Sequence, residues 1–397
     1  MSTNEWETVE LGDVTERAAS WNPRKVPDAT FTYLDLSAVG NLSKSIVSSS
    51  KILGKEAPSR ARQLVQTGDI LVSTVRPNLN AVAPVTTEYD GATASTGFTI
   101  LRPTLRVAPS FLLHWVRSPW FIDDMARKAT GASYPAVSDR IVRASLLPLP
   151  PLPEQRRIAS ILDEADVIRA KRRAQLAHLD ELPQSLFHKM FDAESGTAQH
   201  VTLREVVPTI ENGISAVCEA RPAEGDEWGI LKLGAVTYGD FRHEENKAFL
   251  GDAARMTRNE VHPGDVLMTR KNTRELVGAV AVAGSEVPAR RLLPDLIFRL
   301  RLDASRVDAS YFQTLMMDES TRTRVRNLSS GSAASMPNIS KARLNTLKIP
   351  LPPLRDQQEF ATKVDAIRVE RDRVARALEA DDELFAALQY RAFRAEL

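Results

Sequence analysis

The sequence predicts an α/β fold in which two α/β domains form an internal repeat, separated by two long helices that pair as an antiparallel coiled coil. Leu147–Asp166 reads LPLPPLPEQRRIASILDEAD, and Ile349–Ala366 reads IPLPPLRDQQEFATKVDA. In both places a proline-rich run precedes an amphipathic run without glycine. A phrase repeated at this length indicates a duplicated unit.

Four further pairs of segments match in the same order along the chain. They pair Leu11–Val14 with Leu203–Val206, Tyr33–Val39 with Ile230–Val236, Gly68–Thr74 with Gly264–Arg270, and Ser133–Arg140 with Ser335–Ala342. Collinear matches with a drifting offset are what loop insertions in a duplicated fold produce. We therefore divide the chain into a first α/β domain (1–152), a central helix (153–192), a second α/β domain (193–354) and a C-terminal helix (355–397).

Each domain combines short strands with one helical stretch. Segments such as DILVSTV and GFTILRP in the first copy, and DVLMTR and LIFRLRL in the second, have the β-branched and aromatic composition of strands. The stretches 108–130 and 308–327 have helical character, with Ser110 and Ser310 as candidate N-caps. Ser138 and Ser340 are candidate caps of short turns before the last strand.

The composition is that of a soluble globular protein, with 43% hydrophobic and 26% charged residues among 397. The acidic, polar start, the absence of a long apolar run and a single cysteine, Cys218, predict a cytoplasmic protein without a signal peptide, disulfide or thiolate zinc site. Because the net charge is only +1, a surface that binds nucleic acid would have to be a local cluster of basic residues. The six histidines show no ligand-pair spacing, so no metal site is expected.

Both helical runs carry apolar residues at alternating spacings of three and four, the pattern of a coiled-coil seam. The predicted seam consists of Ile158, Leu162, Ala165, Leu176, Leu179 and Leu186 in the first run and of Phe360, Val364, Ile367, Val374, Leu378, Phe385 and Leu388 in the second. Arg169 and Arg371 interrupt the seam at equivalent places, and we expect them to extend outward or pair with a carboxylate on the other helix. The alternative is that each helix lies on its own domain. Pro183 is expected to bend or break the first helix.

These two phrases carry a resemblance to a known family. The first closely resembles the central conserved region of type I restriction–modification specificity subunits, and the second resembles their C-terminal conserved region. Arg355-Asp356 and the acidic run ALEADDELF depart from the family pattern. The resemblance spans the whole chain, because that family alternates target-recognition domains with long helices.

The resemblance implies a non-catalytic subunit that reads a bipartite, asymmetric double-stranded DNA site, with one half-site per domain. It also implies docking of two methyltransferase subunits and, through them, of motor–nuclease subunits. S-adenosylmethionine, ATP and Mg²⁺ would be used by those partners, and this chain would bind no cofactor. An α/β coiled-coil adaptor that only joins proteins is the alternative. The sequence contains neither an amino-methyltransferase motif nor a phosphate-binding loop, which agrees with both readings.

Candidate DNA-binding residues follow from residue type and position, because base edges favour Arg, Asn and Gln whereas phosphates favour Lys, Arg and hydroxyl groups. Polar loops follow equivalent strands in the two copies, and Gly/Ser-rich runs precede the proline stretches. The candidates are Arg76, Asn78, Asn80, Ser133 and Tyr134 in the first copy and Lys232, Arg270, Lys271, Asn272, Arg274, Ser332 and Ser335 in the second. The basic residues Arg290, Arg291, Arg322, Arg324 and Arg326 are further candidates for phosphate contacts. A solvated turn or face is the alternative for each.

Overall fold

A computed structural model describes residues 6–191, 199–252, 256–330 and 336–397. The chain forms two compact units. The first comprises Met1–Arg173 and Arg376–Leu397, and the second comprises Ala174–Ala375. Each unit therefore contains one α/β domain and a part of both long helices. The domain boundaries predicted from the sequence divide the chain into four consecutive segments, whereas the two units each combine segments that are distant in sequence. The four predicted boundaries stay a prediction.

The first unit contains three sheets and four short helices before its long helix. Its strands are β1 (Glu7–Glu10), β2 (Thr15–Glu16), β3 (Ala19–Ser20), β4 (Thr30–Leu34), β5 (Ser50–Leu53), β6 (Ala61–Leu64), β7 (Ile70–Ser73), β8 (Val82–Pro84), β9 (Thr93–Ser95), β10 (Phe98–Pro103) and β11 (Leu146–Leu149). Its helices are α1 (Leu11–Val14), α2 (Pro109–Val116), α3 (Pro119–Lys128), α4 (Asp139–Arg143) and the start of α5 (Leu152–Phe191). The sheets have the orders β1-β11, β2-β10-β7-β8 and β3-β6-β9-β4-β5.

The second unit repeats this plan. Its strands are β12 (Gln199–Thr202), β13 (Thr209–Asn212), β14 (Gly229–Leu231), β15 (Asn246–Ala248), β16 (Val266–Thr269), β17 (Val280–Val282), β18 (Arg291–Leu292), β19 (Ile297–Arg301) and β20 (Lys348–Leu351). Its helices are α6 (Leu203–Val206), α7 (Ala309–Met317), α8 (Glu319–Asn327), α9 (Lys341–Leu344) and α10 (Leu354–Ala392). The sheets β12-β20 and β13-β19-β16-β17 match two sheets of the first unit, whereas the third, β15-β14-β18, has three strands instead of five.

The helical stretch predicted in each domain is divided into two helices, which corrects the sequence prediction. The first helix, α2, ends at Val116, and the hydroxyl of Ser118 accepts a hydrogen bond from the amide of Phe121, so that Ser118 caps α3. Asp318 caps α8 through the amides of Ser320 and Thr321 in the same way. A capping side chain in mid-stretch satisfies the first amides of a new helix and allows the chain to turn.

The predicted N-caps of the first helix in each stretch are also wrong. Ala108 occupies the N-cap of α2 and is followed by Pro109, whose missing N–H suits the first helical position. In the second unit Asp308 accepts hydrogen bonds from the amides of Ser310 and Tyr311. The caps predicted at Ser138 and Ser340 are confirmed, since each accepts a hydrogen bond from an amide three residues later.

In the first unit the start of α5 lies antiparallel to the end of α10. Arg169 Nε lies 2.5 Å from Asp382 Oδ1, and its guanidinium lies 4.2 Å from the centre of the Phe385 ring. Arg172 pairs with Asp381 at 2.6 Å. The pairing of Arg169 with a carboxylate of the other helix confirms the expectation from the sequence, because a half-buried cation in a seam needs an opposite charge.

In the second unit the end of α5 lies beside the start of α10. Arg371 Nε lies 2.5 Å from Asp180 Oδ1, as expected for the second seam arginine. Pro183 lies inside α5, which continues to Phe191 rather than ending at the proline. No helix of the described ranges is both long and apolar enough to cross a membrane.

Aromatic residues attach the far end of each long helix to a domain. In the first unit Phe393, just after α10, packs on Trp115 with the ring centres 5.0 Å apart. In the second unit Phe191, at the end of α5, packs on Tyr311 at the same distance of 5.0 Å. Every predicted seam residue is buried or half-buried, and several also contact the domain cores: Ile158 and Leu162 in the first unit and Leu186, Phe360 and Val364 in the second.

A buried glutamine joins each domain to the long helix that follows it. Gln155 Oε1 accepts a hydrogen bond from the amide of Ala108 at 2.8 Å, while Nε2 donates to the carbonyls of Arg106 (3.1 Å) and Pro150 (2.8 Å). Gln155 is 1% exposed. One side chain therefore ties the turn before α2 to the proline run before α5.

The second unit repeats this clamp. Gln357 accepts from the amide of Asp308 at 2.9 Å and donates to the carbonyls of Arg306 (3.1 Å) and Pro352 (2.8 Å). Its side chain is fully buried. The repeated proline–glutamine phrase thus encodes a repeated hydrogen-bond joint.

We predict that Gln357→Ala destabilises the second unit by about 3 kcal/mol, because an amide and two carbonyls would lose their buried partner. Urea unfolding followed by tryptophan fluorescence and circular dichroism would measure the loss. Gln358→Ala, at the exposed neighbouring position on the same helix, is the matched control and should change the unfolding free energy little. Equal effects of the two substitutions would contradict the clamp.

A buried histidine of the first unit binds both long helices. His114 Nε2 lies 2.8 Å from Asp163 of α5, and its carbonyl accepts a hydrogen bond from Gln389 of α10 at 3.2 Å. Burial lowers the pKa of His114, and this effect exceeds the opposing influence of Asp163. The folded unit therefore favours the neutral imidazole.

We predict that this histidine makes the first unit less stable as the pH falls below about 6.5, the ordinary value for histidine. The pKa of His114 is lower in the folded state, so the unfolded chain binds the proton at a higher pH as the pH falls. Proton binding then stabilises the unfolded state relative to the folded one. Unfolding free energies at pH 7.5 and 5.5 would measure the loss, and His114→Gln should reduce it. His178→Gln, at an exposed site on α5, is the control and should leave the pH dependence unchanged.

Candidate nucleic-acid interface

The loop after β7 has an unusual backbone. Arg76 and Asn80 both have a φ of 49°, and the short 3₁₀ turn Pro77–Leu79 lies between them. Residues with a side chain rarely adopt this left-handed conformation, so the surrounding structure must hold it. At the first end, the amide of Arg76 donates a hydrogen bond to the carbonyl of Pro135 at 2.7 Å. The 76–80 loop and the Gly/Ser loop before α4 are therefore joined.

This junction brings together four of the five candidates of the first copy. Arg76, Asn78, Ser133 and Tyr134 are all exposed, and the Tyr134 ring is 69% exposed. The Arg76 guanidinium lies 4.8 Å from the centre of that ring. An arginine stacked on an aromatic ring keeps its donors available at the ring edge. The junction therefore exposes a guanidinium and a phenol group in contact, and Asn78 and Ser133 are exposed on the two loops that it joins.

Asn80 differs from these four residues because its side chain faces the protein. Its Nδ2 donates to the carbonyl of Arg117 at 3.2 Å, and its own carbonyl accepts from Lys44 Nζ at 2.6 Å. Burial, reinforced by the nearby Arg117, lowers the pKa of Lys44 to about 8. Lys44 and Arg117 were not among the residues predicted from the sequence, because both lie far from this loop along the chain.

The loop after β16 in the second unit is attached to its Gly/Ser loop in a related way. The carbonyl of Arg270 accepts a hydrogen bond from the amide of Ile339 at 2.8 Å, and Arg270 Nε donates to Asn338 Oδ1 at 3.3 Å. Lys271 forms an isolated antiparallel bridge with Asn338. Lys271 is half-buried and Arg274 is exposed. The two units therefore place a basic loop at the same junction.

The remaining candidates of the second copy lie in other surroundings. Asn272 is buried, and its Nδ2 donates to Thr237 Oγ1 at 3.2 Å. Lys232 begins a separate 3₁₀ turn and pairs with Glu245 at 3.4 Å. Ser332 and Ser335 lie outside the described residues. Arg274 is thus the exposed basic candidate on this loop, whereas Arg270 and Lys271 are half-buried.

Arg291 and Arg322, two of the candidates for phosphate contacts, are buried in the domain, which corrects the prediction for these two residues. Arg322 is 5% exposed, and its Nη2 donates to the carbonyl of Glu275 at 2.6 Å. Arg291 is also buried, and burial lowers the pKa of both guanidinium groups. Arg326 pairs with Glu319 at 2.7 Å. Positions buried in this way cannot approach DNA without a rearrangement.

Two copies of one α/β domain that carry different polar loops at the same junction, each attached to paired long helices, define a duplicated recognition protein. Residues 3–178 match the family model described as the type I restriction modification DNA specificity domain. This part of the chain carries the features of a type I restriction–modification DNA specificity domain, and the chain as a whole is similar to type I specificity subunits.

Relatives and solved structures span different parts of the chain. The EcoKI specificity subunit of Escherichia coli K12 is 22% identical over 322 residues, which cover 75% of this chain and 68% of that one. The EcoEI specificity subunit of Escherichia coli is 28% identical over 162 residues, but the match covers 41% of this chain and 27% of that relative. A putative specificity subunit of Methanocaldococcus jannaschii, MjaX, is 23% identical, with 91% of this chain and 87% of that one covered.

A chain from a structural study of complex assembly and conformational transition in the type I restriction–modification system is similar throughout. It has a TM-score of 0.63 and 26% identity, and 99% of both chains is covered. The S subunit from M. genitalium has the same fold, with a TM-score of 0.59 at 13% identity. The adaptor alternative gains no support from any of these comparisons. Among the residues that the structure describes, no group of three or more His, Cys, Asp or Glu side chains could hold a metal ion.

We predict that Arg76→Ala and Arg274→Ala each relax base preference in a different half of the recognised DNA site, by about 1–3 kcal/mol where the arginine makes a bidentate base contact. Methylation of site libraries with single base changes, by the complete methyltransferase complex, would measure this preference. Arg60→Ala removes an exposed arginine of the first unit outside the loop and serves as the control. Retained preference in both loop variants would place the base contacts elsewhere.

Proposed function

We propose that this chain reads a bipartite, asymmetric site on double-stranded DNA, with one half-site for each α/β domain. The observation that carries this proposal is the pair of loops at the equivalent junctions. The first carries Arg76 on the Tyr134 ring and exposes Asn78, and the second exposes Arg274 near the half-buried Lys271. One scaffold with two different sets of donors suits two different base sequences.

We further propose that the chain docks two methyltransferase subunits and, through them, the motor–nuclease subunits. The internal repeat supports this number, since a duplicated chain offers two copies of an attachment surface. The methyltransferase partners would use S-adenosylmethionine, and the motor partners would use ATP and Mg²⁺. This chain would contribute recognition and no catalytic group, and the complex would act in the cytoplasm.

The decisive experiment exchanges one domain at a time. We predict that replacing residues 1–150 with the equivalent segment of a related specificity subunit changes one half of the methylated motif and leaves the other half unchanged. The reason is that each loop is held by contacts within its own unit. Sequencing that detects methylated adenine would map the motif after co-expression with the methyltransferase.

The reciprocal exchange of the second recognition domain is the matched control and should change the other half. Changes in both halves after a single exchange would contradict independent reading. DNA binding that is sensitive to salt but has no preferred site would contradict sequence recognition altogether and favour the adaptor.

A further inference from the structure

Three residues from three separate segments form a closed ring of hydrogen bonds beside the 76–80 loop. Lys44 Nζ donates to the carbonyl of Asn80 at 2.6 Å, and Asn80 Nδ2 donates to the carbonyl of Arg117 at 3.2 Å. Arg117 Nη2 closes the ring by donating to the carbonyl of Lys44 at 2.5 Å. The ring joins the turn between β4 and β5, the loop after β7, and the end of α2.

The ring holds one of the two left-handed ends of the loop. Arg76 is held by the hydrogen bond to Pro135, whereas the carbonyl of Asn80 is held by the Lys44 ammonium. Lys44 itself has a φ of 53°, so its own backbone also depends on the ring. Without this contact, Asn80 could relax toward the right-handed conformation that its side chain prefers. The exposed residues of the loop would then change direction.

The electrostatics indicate that the ring is more than general packing. Lys44 and Arg117 are cations at close range, and burial together with the nearby Arg117 lowers the pKa of Lys44. Arg117 Nε and Asn80 Oδ1 are buried and lack a hydrogen-bond partner among the described residues. If this ring served only stability, a neutral hydrogen-bond donor in place of the Lys44 ammonium would be more favourable, because it would avoid burying a second cation beside Arg117. A charged donor gives the stronger and more directional hold on one carbonyl.

We propose that Lys44 is a positioning residue for readout of the first half-site: by holding the Asn80 carbonyl it fixes the direction in which the 76–80 loop presents Arg76 and Asn78. The inference rests on the proposed function of that loop. Bidentate base contacts require the donor group within a fraction of an ångström of its ideal place. A loop that is free at one end would lose discrimination between bases more than it loses general attraction to DNA.

The second unit holds its loop by a different residue. Arg322, from α8, donates to the carbonyl of Glu275, directly after Arg274, and Asn272 is anchored on Thr237. A cation on a backbone carbonyl is therefore used in both units, but Lys44 has its role only in the first. Its replacement should consequently affect one half-site.

The test uses the full-length chain in complex with its methyltransferase partner. Lys44→Met keeps the aliphatic stem and removes the ammonium, Lys44→Arg keeps the charge, and Lys55→Met is the control at an exposed lysine of the same unit. Methylation is measured on the cognate site and on sites with one base changed in either half. Thermal unfolding of each variant is recorded alongside.

Lys44→Met should lower discrimination in the first half-site about tenfold, as expected for one misplaced bidentate contact. Discrimination in the second half-site and the unfolding temperature should be the same as in the unsubstituted protein. Lys44→Arg should lose less discrimination in the first half-site than Lys44→Met. Unchanged discrimination in Lys44→Met, or an equal loss in both halves together with a lower unfolding temperature, would overturn the positioning role.

Arg76→Ala and Asn78→Ala distinguish a failure of this inference from a failure of the function beneath it. If these two variants lose first-half discrimination while Lys44→Met keeps it, the loop reads DNA and the inference about Lys44 is wrong. If all three variants keep first-half discrimination, the loop does not read DNA. Both the proposed location of the base contacts and the proposed role of Lys44 are then wrong.

Discussion

The architecture depends on the buried glutamine that joins each α/β domain to its long helix. A proline run has few N–H groups, so its carbonyls must find donors elsewhere, and the carboxamides of Gln155 and Gln357 supply them. The same carboxamide accepts a hydrogen bond from the amide of the N-cap residue of the neighbouring short helix, Ala108 or Asp308. Because one planar group serves both segments, the start of the long helix is fixed in place and direction relative to its domain.

The far end of each long helix is attached by a different kind of contact. Phe393 after α10 packs among tryptophans of the first unit, and Phe191 at the end of α5 packs on Tyr311 in the second. Arginine–aspartate pairs, such as Arg169 with Asp382, lie along the paired helices. Apolar packing supplies most of the free energy here, whereas the charged pairs mainly select register, because half-exposed ion pairs contribute little to stability.

Periodic features were predictable from the sequence, and contacts between distant segments were not. The repeated strands, the long helices and the caps at Ser138 and Ser340 follow from local pattern. The division of the helical stretch at Ser118 was not predicted, because the composition of the stretch favours one continuous helix. The hydrogen bond to the Ser118 hydroxyl instead starts a new helix there. Asn272 lies at the place of Arg76 in the repeat, since Gly264–Arg270 matches Gly68–Thr74, yet Arg76 is exposed whereas Asn272 is buried and donates to Thr237. No local pattern carries that information.

The two loops therefore share a place in the fold but not a means of support. The first relies on left-handed backbone held by Lys44 and Pro135, and the second relies on buried side chains such as Asn272 and Arg322. Since neither support involves the glutamine clamp or the helix seam, a loop can change its residues and its support without disturbing the frame. This separation of frame from loop is what allows one duplicated scaffold to present two unlike surfaces.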